Sequence, residues 1–342
     1  MADGFAILIT LSVALLFTLF NISTIVIVLS DRNLRRKSSN YPILSFLLVS
    51  AIQGFTAAPI YVYKKLDEEN LGDWICDASR VPYFFCGHVM KISLLVISFD
   101  RMLAIRHPFH YEKHINKRNT LISLAILWLV TLAVDMVPFA TDVNTESHCK
   151  YIPTRSWGLC VIIFYNIIPF ILMANNYGLV WLVAAKVAIK DRVREESLMQ
   201  SQRHDMNEKQ FNNKSNRRKN QSQINRTSNI KFALEMKATK TSLTLIAVYV
   251  FCWGPLGVFY MIDHFCYNCL SDDRLSATRT SIKLLCFSSS LLAPIVYCWA
   301  NNGYRKAAKR VCTKCFFKDK NHFNSSFGTS TELTHMKKED RG

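Results

Sequence analysis

What this 342-residue sequence goes without, over long stretches, is charge. No Asp, Glu, Lys or Arg lies between Asp3 and Asp31, Lys37 and Lys64, Arg155 and Lys186, Lys240 and Asp263, or Lys283 and Arg305. Each gap exceeds the ~20 residues that cross a bilayer core as a helix. A soluble domain does not collect five such runs. Glycine and proline are sparse, at 11 and 9, and half of the residues are hydrophobic. Collagen-like, disordered and small disulfide-scaffold chains are thereby excluded. No internal repeat is apparent, which weighs against a transporter built from duplicated halves. Acid is short as well: 25 Asp and Glu stand against 42 Lys and Arg, a net charge of +17.

Two further spans are less clean. Residues 119–141 hold one charge, Asp135, and residues 81–99 hold Lys91 and His88. With them the chain has seven spans, near 5–29, 41–63, 76–102, 120–141, 157–185, 241–262 and 278–299. In lipid each must be helical, because every backbone N–H and C=O needs a partner within its own segment. The fold class is therefore an all-α membrane protein, a seven-transmembrane helix bundle. The first run lacks a basic start, is long for a signal core, and is followed at once by Arg32, Arg35, Arg36 and Lys37. It reads as a retained anchor rather than a cleaved signal.

An odd number of spans puts the termini on opposite sides. Segments 31–40, 100–119, 186–240 and 300–342 carry +3, +3, +8 and +6, while the segments on the other side are neutral or acidic. The positive-inside bias places the N-terminus outside and the C-terminus in the cytoplasm, with the plasma membrane as the expected location of this multi-pass chain. The basicity flanks membrane spans, so it does not indicate nucleic-acid binding. Residues 1–4 form the extracellular N-terminus, 5–315 the membrane domain and 316–342 the cytoplasmic tail. The long loop at about 188–238 is rich in Asn, Gln, Ser, Lys and Arg. It reads as largely disordered, with the fifth and sixth helices extending into it.

Cys76 and Cys149 both face the oxidising side, which predicts a disulfide between them. Cys266 and Cys269 form a lone C-x-x-C in the outer loop after the sixth span. One such pair is too few ligands for zinc, so a small loop-stiffening disulfide is expected and no metal site. Cys86, Cys160, Cys252, Cys286 and Cys298 lie within spans as packing thiols. Cys312 and Cys315 follow a basic segment just inside the membrane and suit palmitoylation. The sequons at Asn21, Asn213, Asn220, Asn225 and Asn324 fall within a span or on the cytoplasmic side, so none should be glycosylated.

The motifs along the spans have an order of their own. Asn21 lies in the first span, Asp100-Arg101-Met102 ends the third and Trp128 sits mid-fourth. Pro169 and Tyr177 lie in the fifth, Cys252-Trp253-Gly254-Pro255 in the sixth and Pro294-Ile295-Val296-Tyr297 in the seventh. Over about residues 5–315 the chain resembles the rhodopsin-like (class A) G-protein-coupled receptors. Each motif alone is weak; in this order, each on its expected helix, they are specific. The resemblance implies a receptor that binds an extracellular ligand within the bundle and activates a heterotrimeric G protein as the sixth helix opens. It implies no enzyme activity and no cofactor. Arrestin and receptor kinases would act at the Ser/Thr-rich tail.

Carried over by position, the activation switch is Asp100, Arg101, Tyr177, Glu235, Trp253, Pro255, Pro294 and Tyr297. Arg101 must find partners at the cytoplasmic edge of the bundle, and Asp100 and Glu235 match the family's two carboxylates. Pro169 and Pro255 remove backbone hydrogen bonds and allow kinks. After the seventh span, the basic amphipathic stretch 302–310 suits a short interfacial helix. The pocket carried over by position is Tyr83, Phe84, Gly87, Tyr151, Trp253, Tyr260, Lys283 and Phe287, aromatic with one cation. It would suit a small aromatic or anionic ligand.

The chain also departs from the pattern. Ser50, Met90 and Ala293 stand where the family has sodium-coordinating residues, and a hard cation needs oxygen ligands. Amine receptors carry an Asp in the third span where this chain has Tyr83, and opsins a retinal-linking Lys where it has Phe287. Both ligand classes are therefore disfavoured. Lys91 falls mid-membrane, one turn from His88, where the family has a small apolar residue. A Lys91–Asp135 ion pair would reduce the unfavourable energy of each charge; a neutral Lys91 or a water-filled cavity would do so too. Those three residues are also the basis of the other reading, a seven-helix transporter or membrane enzyme.

Overall fold

The computed structural model describes residues 2–66, 73–140, 145–146, 150–151, 155–205, 215–266, 276–311 and 313. The first span is α1 (Ala2–Ser30), followed by the short α2 (Arg32–Arg36). The second span is α3 (Tyr41–Leu66) and the third α4 (Asp73–Arg106). After α5 (Pro108–His114) comes the fourth span, α6 (Lys117–Ala140). Two short strands, β1 (Thr145–Glu146) and β2 (Lys150–Tyr151), pair antiparallel. The fifth span is α7 (Arg155–Ile162), a π-turn over Ile163–Ile167 and α8 (Ile168–Asp205). The sixth is α9 (Ser215–Phe265), the seventh α10 (Ser276–Ala300), and α11 covers 302–311.

Six of these helices are long and apolar enough to cross a membrane. The remaining span, α3, is 26 residues long and turns Ser45, Ser50 and Gln53 into the protein. Lipid does not penalise exposed apolar surface, and the outer faces show it: Phe55, Trp181, Phe251 and Trp299 are each about two-thirds to three-quarters exposed. What a bilayer penalises is an unpaired polar group, and Asn21, Thr24, Ser50, Gln53 and Thr131 are fully buried instead.

α4 is the axis of the bundle. Its Cys86, Met90 and Leu94 are fully buried. They meet Phe46 and Val49 of α3, Met173 of α8, Leu245, Tyr249 and Trp253 of α9 and Cys286 of α10 in one core. Polar contacts set the register of its neighbours. Trp128 Nε1 on α6 donates to Ser45 Oγ at 2.9 Å, and Ser45 and Ser93 hydroxyls lie 3.0 Å apart. Pro169 has no N–H to return to the carbonyl four residues earlier, and the chain widens into the π-turn just before it.

The helices reach further than the hydrophobic runs suggest. At ~1.5 Å per residue the 34 residues of α4 span about 50 Å, well past a ~30 Å hydrocarbon core. Within the loop read as largely disordered, α8 continues to Asp205 and α9 begins at Ser215. Once a span has nucleated a helix, polar residues with ordinary helix propensity extend it. Asn301 caps α11, its Oδ1 accepting the Tyr304 N–H at 3.1 Å. Buried Tyr304 and Ala307 then hold α11 against Leu34 of α2, and Arg310 reaches Asp31 at 2.6 Å.

Candidate functional site

Two clusters of side chains stand out from the core. The first is where α4 ends. Arg101 is 6% exposed, and its guanidinium is shared between two carboxylates. Its Nε donates to Asp100 Oδ2 at 3.0 Å, its Nη2 donates to the same oxygen, and its Nη1 donates to Glu235 Oε2 of α9 at 3.1 Å. Tyr111 of α5 completes the arrangement by donating to Asp100 Oδ1 at 2.9 Å. Burial, and then the Asp100 charge beside it, raises the pKa of the Tyr111 hydroxyl and keeps it a donor. Pro108 at the start of α5 supplies the fixed φ that begins this turn of helix.

Tyr177 and Tyr297 flank the cluster. Tyr177 on α8 donates to Ser242 Oγ of α9 at 2.8 Å, and one residue earlier Asn176 donates to Ser98 Oγ of α4 at 3.0 Å. Tyr297 donates to Asn40 Oδ1 at 3.4 Å and meets the Tyr304 ring edge-on at 5.5 Å. Pro255 and Pro294 sit inside α9 and α10.

The second cluster is aromatic and lies toward the other end of α4. The ring of Tyr83 is 5.5 Å from Phe84, 6.3 Å from Phe287 and 6.5 Å from Trp253. Phe84 lies 6.3 Å from Tyr260. Trp253 stacks on Tyr249 at 5.5 Å and donates from Nε1 to Ser289 Oγ at 2.9 Å. Gly87 permits this: a Cβ there would fall 2.9 Å from the indole ring. The structure thus brings Tyr83, Phe84, Gly87, Trp253, Tyr260 and Phe287 together. Lys283 lies one turn before Phe287 on α10, half-buried. The side chain of Tyr151, in β2, lies outside the described residues.

Between these clusters is a polar layer whose pairing differs from the sequence expectation. Among the described residues, Lys91 and Asp135 share no hydrogen bond or ion pair. His88 Nδ1 meets Asp135 Oδ1 at 2.8 Å, and its ring stacks on Tyr165 at 4.1 Å. Lys91 Nζ instead donates to Asn166 Oδ1 at 2.6 Å and lies 5.9 Å from the Trp253 ring centre. The physical reason is the π-turn, which carries Tyr165 and Asn166 and sets both side chains against α4. The sequence reading missed these two residues. The available signal was a polar Asn three residues before Pro169 in an otherwise apolar run.

Ser50 Oγ is spent on the Phe46 carbonyl of its own helix at 2.8 Å, and Met90 and Ala293 are buried and apolar. Nearby, Ser290 Oγ donates to Gln53 Oε1 at 2.9 Å and Asn21 Nδ2 to the Ser290 carbonyl at 2.8 Å, a neutral network. Among the described residues no group of three or more His, Cys, Asp or Glu lies together. Cys86, Cys160, Cys252, Cys286 and Cys298 are free thiols. Cys266 is disulfide-bonded. The side chains of Cys76, Cys149, Cys269, Cys312 and Cys315 lie outside the described residues.

A family model described as 7 transmembrane receptor (rhodopsin family) matches residues 20–297. The D(1C) dopamine receptor of Xenopus laevis is 26% identical over 87% of this chain and 65% of its own length. Dopamine receptor 1 of Drosophila melanogaster is 25% identical over 86% of this chain and 59% of its own. Cannabinoid receptor 1 of Taricha granulosa is 22% identical over 86% and 60%. The chain thus spans about three-fifths of the length of these relatives.

Proposed function

This chain belongs to the rhodopsin family of seven-transmembrane receptors, and we propose that it couples a small extracellular ligand to a heterotrimeric G protein. The observation that carries the reading is Arg101, held between Asp100 of its own helix and Glu235 of the sixth span. A guanidinium tied across two helices closes the end of the bundle. Releasing it frees α9 to swing about Pro255 and exposes Arg101, Tyr177 and Tyr297 to a partner. Proteins with two such arrangements respond to whatever binds one better than the other.

The ligand site in this reading is the aromatic cluster of Tyr83, Phe84, Trp253, Tyr260 and Phe287, with Gly87 against the indole; Lys283 and Tyr151 are assigned to it by sequence position alone. Trp253 joins the two sites, because it touches the cluster on one side and the core of α9 on the other. The dopamine receptors among the relatives are named for an amine. This chain has Tyr83 where the family's amine receptors carry Asp, so it does not hold an amine in their way. In this reading the N-terminus lies outside and the C-terminus in the cytoplasm, an orientation that the basic ends of the spans support. There Cys312 and Cys315 would take acyl chains, and arrestin and receptor kinases would act on the tail. Cys76–Cys149 and Cys266–Cys269 would stiffen the outer face. The transporter or enzyme reading rested on Lys91, His88 and Asp135 alone, and the family match over residues 20–297 favours a receptor instead.

The test is G-protein dissociation in cells expressing the full chain, across the G-protein classes. Dissociation above that of cells lacking the chain, lost in Arg101→Ala at equal surface expression, is the expected result. No dissociation with any class would refute the reading.

A further inference from the structure

The layer beneath the aromatic rings holds a cation whose hydrogen-bond partner is neutral. Lys91 is 7% exposed, and its Nζ is served by the Asn166 amide oxygen and the face of Trp253. Asp135, the acid of this layer, is bonded to His88. Inside a membrane domain an ammonium is strongly unfavourable unless an anion or several acceptors surround it. An amide carbonyl and a ring face compensate it less fully than a carboxylate does. An ammonium also has three N–H donors, and Asn166 Oδ1 accepts one.

The same place has room. Gly257 lies on α9 one turn beyond Trp253 and one turn before Tyr260, and it is partly exposed. A Cβ placed on it would meet only the Asn166 Oδ1 atom, at 3.9 Å. A small side chain is therefore accommodated at Gly257 without a clash, next to the amide that holds Lys91.

We propose that the ligand carries a carboxylate, or an anionic group of similar size, which docks on Lys91 and Asn166 in the space left by Gly257. The proposal rests on the reading of the aromatic cluster as the ligand pocket. The ring of such a ligand lies among the aromatic side chains, and its acid takes an N–H of Lys91 and one from the Asn166 amide. An amine in the same place meets a like charge and is rejected.

The test supplies the carboxylate from the chain itself. Gly257→Asp and its neutral isostere Gly257→Asn are made with and without Lys91→Met, and the purified full chain is melted in lipid nanodiscs. With Lys91 present, Gly257→Asp should melt about 4 °C or more above Gly257→Asn, a shift expected for a new buried charge pair. With Lys91→Met the order should reverse. Equal midpoints in both backgrounds would overturn the proposal, as would a Gly257→Asp chain that fails to fold where Gly257→Asn folds. In a second arm the unaltered chain is melted with indole-3-acetate, indole-3-acetamide and tryptamine. The acid should stabilise most, and Lys91→Met should abolish its advantage; greater stabilisation by tryptamine would contradict the assignment. Neither arm uses a G protein, so their outcome is separate from that of the signalling assay.

Discussion

Replacing Glu235 by Ala removes one of the two carboxylates that hold Arg101. The Glu235 side chain is 34% exposed and lies 3.1 Å from a guanidinium that is nearly buried. A pair this wet contributes ~1 kcal/mol, at the upper end for exposed ion pairs and far below a deep-interior figure. Asp100 still accepts from Arg101 Nε at 3.0 Å, so the substitution does not strand a buried charge. A change of ~1 kcal/mol is roughly fivefold in a two-state equilibrium, and a minor state of a few per cent rises without becoming dominant. Basal G-protein dissociation should therefore increase about fivefold in Glu235→Ala, with Glu235→Gln in between and the response to agonist retained. Arg101→Ala opens the same link but removes the group that meets the partner, so its signalling should fall. Unchanged basal activity in Glu235→Ala at matched surface expression would refute the lock and make Glu235 a residue of a solvated helix face.

Two other expectations follow from the cysteines and the neutral network. Cys76→Ser and Cys149→Ser should each reduce surface expression, and the double variant should be no worse than either; additive losses, or none, would exclude a bond between them. Sodium should not act as an inhibitor, because Ser50 bonds its own helix and Met90 and Ala293 offer no oxygen. Basal signalling in membranes should be equal in sodium and in a bulky organic cation at the same ionic strength, and a sodium-specific drop would count against this.

The seven spans were legible because lipid forbids charge, and the gaps between Asp3 and Asp31 or Lys240 and Asp263 have no other simple use. The Arg101–Glu235 contact was legible too, since a charged residue ending a span needs nearby carboxylates and the motif order pointed to Glu235. Tyr111 was not: nothing in an apolar-run reading shows that a seven-residue helix after α4 returns a hydroxyl to Asp100. The polar layer was read in part. Lys91, His88 and Asp135 are conspicuous as charges, but which of them meet depends on where each side chain points around its helix. That depends on the π-turn at Ile163–Ile167, a local change of helical pitch that hydrophobic periodicity does not report. That the fifth and sixth helices extend into the long loop was legible, but how far, to Asp205 and from Ser215, was not, for a related reason. Composition marks where lipid ends, not where a helix ends.

The central claim is that α4 and α9 are held together at Arg101 and part when a G protein engages. The most direct measurement is a spin-label distance between sites 106 and 237, both exposed at that end of the bundle, labelled through non-natural residues in the full chain in nanodiscs. One short distance is expected for the free chain, a longer population in Glu235→Ala, and a dominant longer distance once nucleotide-free G protein is added. A distribution that stays unchanged with both the substitution and the G protein would contradict the account.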